Sequence, residues 1–146
     1  MNNYDPKSWS TMFIHSHLNV LIADDEEIIR IFLKAAVEHA GGNVFEADNG
    51  KQALDIFHNN AIDIILMDLS MPEMDGFEAI HMIKKQSQSF IPIISINAFD
   101  DDDILSKALA FGADDLIIKP VSPLLLIAKM NAMIRIKEII QQSISK

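Results

Sequence analysis

Short apolar runs of strand length alternate along this chain with longer stretches in which apolar residues recur every three or four positions. The first run, residues 20–23, stops at Asp24-Asp25-Glu26. After it Ile29, Phe32, Leu33, Ala36, Val37 and Ala40 follow the i, i+3, i+4, i+7 spacing of one buried helix face, and Gly41-Gly42 supplies a terminator. A short strand over residues 43–47 is predicted to end at Asp48-Asn49-Gly50, turn residues that tolerate positive φ. A second helix follows to about residue 59. The run 62–67 is interrupted only by Asp63, as in a strand covered on both faces by helices, and is the predicted sheet centre. A loop through Pro72 and Gly76 leads to a third helix, and residues 91–96 form a strand. Residues 100–111 form a helix closed by Gly112, residues 116–118 the last strand, and a final helix begins near Pro123. Five strand–helix repeats predict an α/β domain with a parallel sheet and right-handed crossovers.

Length and composition narrow this picture without changing it. A chain of 146 residues fits one domain that buries about 68–70 % of its unfolded surface. Its 49 % apolar and 23 % charged residues are ordinary for a soluble protein, and no apolar run approaches the ~20 residues of a membrane span. Residues 1–19 hold a single cation, Lys7, and no unbroken apolar stretch, so they do not read as a secretory signal. With no cysteine there is no disulfide framework, and a cytoplasmic location is expected. The net charge of -9 argues against direct nucleic-acid binding, which depends on cations displacing counterions from phosphates. That charge is uneven: residues 1–123 carry 8 Lys or Arg against 20 Asp or Glu, and residues 124–146 carry 4 against 1. A basic tail on an acidic body suggests a separate use for the tail.

Ligand sites in open parallel sheets lie at the carboxyl ends of the strands. Here the strands end in Asp24 and Asp25, in Asp68, in Asn97 and in Lys119, so acids, an amide and a cation converge on one edge. Carboxylates about 4 Å apart repel by roughly 4 kcal/mol at an effective dielectric near 20, and a cation must offset this. A hard, oxygen-seeking ion that keeps waters and also binds phosphate is expected, Mg²⁺ or its substitute Mn²⁺. A carboxylate nucleophile beside such an ion and a lysine suits formation of an aspartyl phosphate.

Ala23-Asp24-Asp25-Glu26, then the run from Leu66-Met67-Asp68 through Pro72-Glu73-Met74-Asp75-Gly76, then Gly112-Ala113-Asp114-Asp115 leading to Lys119-Pro120 resemble the receiver domains of two-component response regulators. The resemblance covers about residues 19–135. It implies a flavodoxin-like (βα)5 doubly wound fold with strand order 2-1-3-4-5. It further implies that Asp68 accepts a phosphoryl group from a sensor histidine kinase or phosphotransfer protein. Asp25 would then bind the metal directly, Asp24 mainly through water, and the Ser70 backbone carbonyl would be the third protein ligand. Lys119, Asn97 and Ala98 would meet the phosphoryl group, and Lys119-Pro120 would be a cis peptide. Such a domain modifies itself and turns over no outside substrate.

Two positions depart from the family pattern. Asn97 stands where a Thr or Ser is usual, and Leu116 where a Tyr or Phe is usual, so both halves of the usual switch are changed. An amide can donate to a phosphoryl oxygen, but also to unmodified Asp68, and a contact made in both states shifts no equilibrium. A weakened response of the loop after strand four and of the fourth helix is therefore expected. One rival reading is a degenerate receiver acting as a phosphorylation-independent scaffold. Another is a hydrolase of the haloacid dehalogenase type, which would want an acid two residues after the nucleophile, where this chain has Ser70.

The ends of the chain carry further expectations. Residues 1–18 form an extension containing Tyr4, Trp9 and Phe13, and His15 and His17 lack the companions of a metal site. Helical character continues from Leu124 to about Ser143, so residues 136–146 are expected to project. Leu126, Met130, Met133, Ile140 and Ile144 form a heptad-like stripe broken by Lys137, with Ile136 and Ile139 beside it. The expected use is a homodimer through this helix, weakened by Lys137, in either a stand-alone regulator or the front part of a longer protein with an output domain. The alternative is a stripe folded back on its own domain.

Overall fold

The computed structural model describes residues 18–98 and 100–144, and the expectations for residues 1–17 and 145–146 lie outside the described residues. Five strands, β1 (Asn19–Ala23), β2 (Asn43–Ala47), β3 (Ile64–Asp68), β4 (Ile93–Asn97) and β5 (Asp115–Ile118), alternate with five helices. These are α1 (Glu27–His39), α2 (Gly50–Asn59), α3 (Gly76–Gln86), α4 (Asp102–Phe111) and α5 (Pro123–Ile144). All strand pairs are parallel, in the order β2-β1-β3-β4-β5. Every residue of β3 and β4 is buried, as expected of inner strands with helices on both faces.

Alternation along the strands divides the core. Leu21, Ile65, Met67 and Ile93 face α2, α3 and α4, whereas Val20, Ile22, Leu66 and Ile94 face α1 and α5. Local signals mark the helix starts: Asn49, Asp75 and Asp101 each accept a backbone N–H of the first turn. The α1 face is narrower than its spacing suggests. Leu33 and Val37 are buried, but Phe32 stays 42 % exposed at the edge of the stripe.

The last helix needs the largest correction. Its 22 residues span about 33 Å. Its buried residues are Leu126, Ile127, Met130, Ile134 and Lys137, so the proximal stripe does fold back on its own sheet. Met130 is fully buried and Met133 packs half-buried on the same core, which removes Met130 from any dimer surface. Lys137 does not break an exposed seam. Its ammonium donates to the Asp63 carbonyl at 3.1 Å and lies 3.5 Å from the Asp63 carboxylate, while its stem covers apolar surface. The helix therefore stays on the domain past residue 136, and the projecting end is shorter than expected.

Candidate phosphoacceptor site

The β1, β3, β4 and β5 carboxyl ends come together as the sequence predicts. Asp24 is fully buried, Asp25 is exposed, and Asp68 is 5 % exposed; one oxygen from each lies within 4.8 Å of the others. Asp24 is held by three contacts. Its Oδ1 accepts the Glu26 N–H at 2.9 Å, its carbonyl accepts from the Arg30 guanidinium at 2.7 Å, and its own N–H donates to the Ala47 carbonyl. Lys119 reaches in from the end of β5, 3.2 Å from Asp24, 3.5 Å from Glu26 and 3.8 Å from Asp68. Its backbone N–H donates to the Asn97 carbonyl at 2.7 Å, tying the ends of β4 and β5 together, and the peptide to Pro120 is cis.

Electrostatics here is unbalanced. Burial, followed by repulsion from Asp24, pushes the Asp68 carboxyl up to about 7, with Lys119 and the Ser70 N–H opposing the rise and Asp25 adding to it. Burial alone would lower Lys119, but Asp68 and Asp24 outweigh it and hold the ammonium above its ordinary value. One lysine shared among three carboxylates does not neutralise them. The donor set is all oxygen, partly open to solvent and in excess negative charge, which fits a hard divalent cation of the Mg²⁺ type.

Asp25 and Asp68 line a cleft of about 480 Å³, which fully buried Asp24 does not reach. Ser70, Asn97, Ala98 and Lys119 line it as expected, and so do Glu26, Phe77 and Ile104, which motif reading did not single out. Glu26 was visible in Asp24-Asp25-Glu26 itself; Phe77 and Ile104 come from α3 and α4 and leave no local signal. Leu116 is half-buried against the α2–α4 core and does not line the cleft.

Asn97 departs from its expected role. Its side chain is 3 % exposed, and among the described residues neither amide atom has a hydrogen-bond partner. The amide makes no hydrogen bond to unmodified Asp68, so of the two donations open to it that one is not made here. An acid of the last motif holds the framework rather than the cleft. Asp114 pairs with Lys84 at 2.6 Å and accepts the Ile93 N–H at 2.8 Å, locking α3, β4 and the start of β5 together.

Comparison with known proteins agrees with this geometry. The family model described as response regulator receiver domain matches residues 20–131. A probable transcriptional regulator, ycf27, of Cyanidium caldarium is 41 % identical over 119 residues, covering 80 % of this chain and 46 % of that protein. The chain thus spans about half the length of curated relatives it matches. Among solved structures, a Francisella response regulator receiver domain is 33 % identical with a TM-score of 0.75, covering 81 % of this chain and 97 % of that one. A CheY-like receiver domain protein of Methanospirillum hungatei is 27 % identical with a TM-score of 0.79, covering 84 % and 98 %.

Proposed function

The chain belongs to the response regulator receiver family, and from that premise we propose that Asp68 accepts a phosphoryl group from a histidine kinase or phosphotransfer protein. The observation that carries this reading is a cluster of two buried carboxylates, Asp24 and Asp68, and one exposed one, Asp25, at a solvent cleft with Lys119 3.8 Å from Asp68. A carboxylate oxygen of Asp68 attacks phosphorus, the phosphorus–nitrogen bond of the donor phosphohistidine breaks, and the electron pair returns to the imidazole. Lys119 balances charge on the phosphoryl oxygens, helped by the backbone around Ala98. Asp24, Asp25, Asp68 and the Ser70 carbonyl would hold Mg²⁺ or Mn²⁺, which supplies charge neutralisation at the transferred group.

The donor must bring its histidine to the cleft, so its surface has to rest on the rim. Ile28 and Phe32, 79 % and 42 % exposed, line a small apolar groove with Lys119 and Pro120. This groove shares Lys119 with the cleft and suits a kinase surface. Such a kinase draws on cytoplasmic ATP, which argues for a cytoplasmic location, and among the described residues no helix is long and apolar enough to cross a membrane. The domain modifies itself without turnover on an outside substrate, its unit running from residue 19 past Lys137 on α5, and the length of its relatives argues for an output partner or output domain.

Purified protein with Mg²⁺ and acetyl phosphate is expected to gain one phosphoryl group by intact-mass spectrometry, and Asp68→Asn none. A gain that persists in Asp68→Asn sinks the site assignment. No gain in the wild type, with small donors or kinases, leaves the phosphorylation-independent scaffold.

We also assign a homodimer to the outer face of α5, on a corrected set of residues. Leu125, Ile136 and Ile139 are 48 %, 41 % and 59 % exposed, and with Ala132 they recur at spacings of seven, four and three, the repeat that a second helix of the same pitch fits. Ile140 and Ile144 stand seven residues after Met133 and Lys137, so they continue the inner side of the helix and fall outside this surface. Light scattering is expected to show a dimer that Ile136→Glu with Ile139→Glu converts to monomer; a wild type monomeric at high micromolar concentration, with and without beryllofluoride, rules it out.

A further inference from the structure

Four buried side-chain atoms at or near the cleft have no hydrogen-bond partner among the described residues: Asp24 Oδ2, which faces the Lys119 ammonium at 3.2 Å, both amide atoms of Asn97, and the hydroxyl of Ser95. Ser95 is fully buried, and Asn97 nearly so. They are two residues apart on β4, so their side chains leave the same face, roughly 6.7 Å apart along the strand. It is the face bearing Ile93 and covered by α2, α3 and α4, because the intervening Ile94 and Ile96 face α1 and α5. Ser95 is in register with Leu116 of β5, the position lacking the family's usual aromatic ring. Of the two, Asn97 alone reaches the cleft. Beyond it, α4 lies on this face with a single buried residue, Ala108.

An orphaned buried polar group costs its full desolvation, so native structures seldom keep one, and far less often two side by side. The described residues therefore leave hydrogen-bonding capacity at Asn97 and Ser95 unfilled by any protein group, in a line from the cleft inward. A phosphoryl group on Asp68 would bring an acceptor oxygen to the Asn97 Nδ2 donors. The amide is planar, so fixing Nδ2 also fixes Oδ1, which becomes a defined acceptor for the Ser95 hydroxyl. We propose that Asn97 and Ser95 form a polar relay along β4, made only in the phosphorylated state, in which Ser95 positions the Asn97 amide, directly or across one water. Contacts absent at rest and present after modification are what bias a two-state equilibrium, and this pair supplies them without a hydroxyl at position 97 or a ring at position 116. Its inner end lies on the face that α2, α3 and α4 cover, and of these helices α4 has the fewest buried residues to hold it in place.

This inference rests on the reading of Asp68 as phosphoacceptor, and the test separates the two. Melting temperatures are measured for the full chain and for Ser95→Ala, each with and without Mg²⁺ and beryllofluoride. Resting Ser95→Ala is expected to melt at or above the wild type, because the change removes an orphan hydroxyl. Its gain on adding beryllofluoride should be smaller than the wild type's by about 3 °C, and Ser95→Thr, which keeps the hydroxyl, should regain the wild-type increment. A purely structural serine would lower both states together and leave the increment unchanged. Equal increments in wild type and Ser95→Ala overturn the relay alone, and so does a resting Ser95→Ala that melts lower with its increment intact. If Ser95→Ala does not fold, Ser95→Cys takes its place, with the same reduced increment expected. No increment in the wild type overturns the phosphoacceptor reading, and the relay with it.

Discussion

At a pH of about 8, without divalent cations, Asp68→Asn is expected to melt well above the wild type, although it removes the residue on which the proposed function depends. Asp68 carries its proton up to about 7 in the folded chain, against 3.8 for an unconstrained aspartate. Between those values the folded state holds a proton that the unfolded state has released. Folding is therefore favoured less and less as pH rises from about 4 to about 7, and the whole penalty is present above that range. One pKa unit is about 1.4 kcal/mol, so a shift of this size corresponds to a penalty on the order of 4 kcal/mol. The variant's neutral amide has the same shape without the buried charge. Its advantage should be about 10 °C in melting temperature at the alkaline end and should vanish as pH approaches about 4, where both chains are neutral at this position.

Mg²⁺ should narrow the gap from the other side. A cation among Asp24, Asp25 and Asp68 favours the ionised carboxylate and stabilises the wild type by mass action, with a smaller effect on the variant. Differential scanning fluorimetry across pH, with and without Mg²⁺, measures both effects. A variant no more stable than the wild type at alkaline pH would mean that the acids are not in electrostatic conflict at rest, and that nothing in the cluster calls for a cation.

The site was legible in the sequence because its residues stop strands, and a strand's apolar run makes its end conspicuous. Asp24, Asp68, Asn97 and Lys119 could be placed on one edge from that alone, once the alternation of elements implied a parallel sheet. Interactions across the chain were not legible. Lys137 read as a charge that breaks an exposed stripe, since a lysine in an apolar row is normally solvated. Nothing local indicates that Asp63, far away in sequence, waits under it. The α5 stripe was misassigned for a related reason: this helix carries an inner apolar row through Met130 and Ile134 and an outer one through Ile136 and Ile139, and periodicity does not tell the two apart. Asn97 shows the same limit at the level of one hydrogen bond. Residue type says that an amide can donate, but only distance says to what.

Gly76→Ala is the substitution for which sequence and structure predict opposite signs. Gly76 opens α3, and alanine is the better helix former by about 1 kcal/mol, so helix propensity alone predicts a more stable protein. In the fold, a Cβ on Gly76 would overlap the Asp68 carbonyl oxygen and sit 2.7 Å from the Leu69 Cα. Both are backbone atoms, so no side chain can swing away to make room. The Gly76 N–H also donates to the Leu69 carbonyl at 3.0 Å, which holds the start of α3 against the chain leaving β3. Relief requires α3 or the 68–70 segment to shift by about 1 Å, a cost of about 3 kcal/mol that outweighs the propensity gain and should lower the melting temperature by about 6 °C. That segment carries the Asp68 carboxylate and the Ser70 carbonyl, so the displacement falls on the reacting group. Misplacement of about 1 Å can slow an oriented reaction about 100-fold, and labelling of Gly76→Ala by acetyl phosphate should slow toward that extent even at temperatures where the variant is fully folded. A variant that melts with the wild type and labels at its rate would show that α3 is not what sets the position of Asp68.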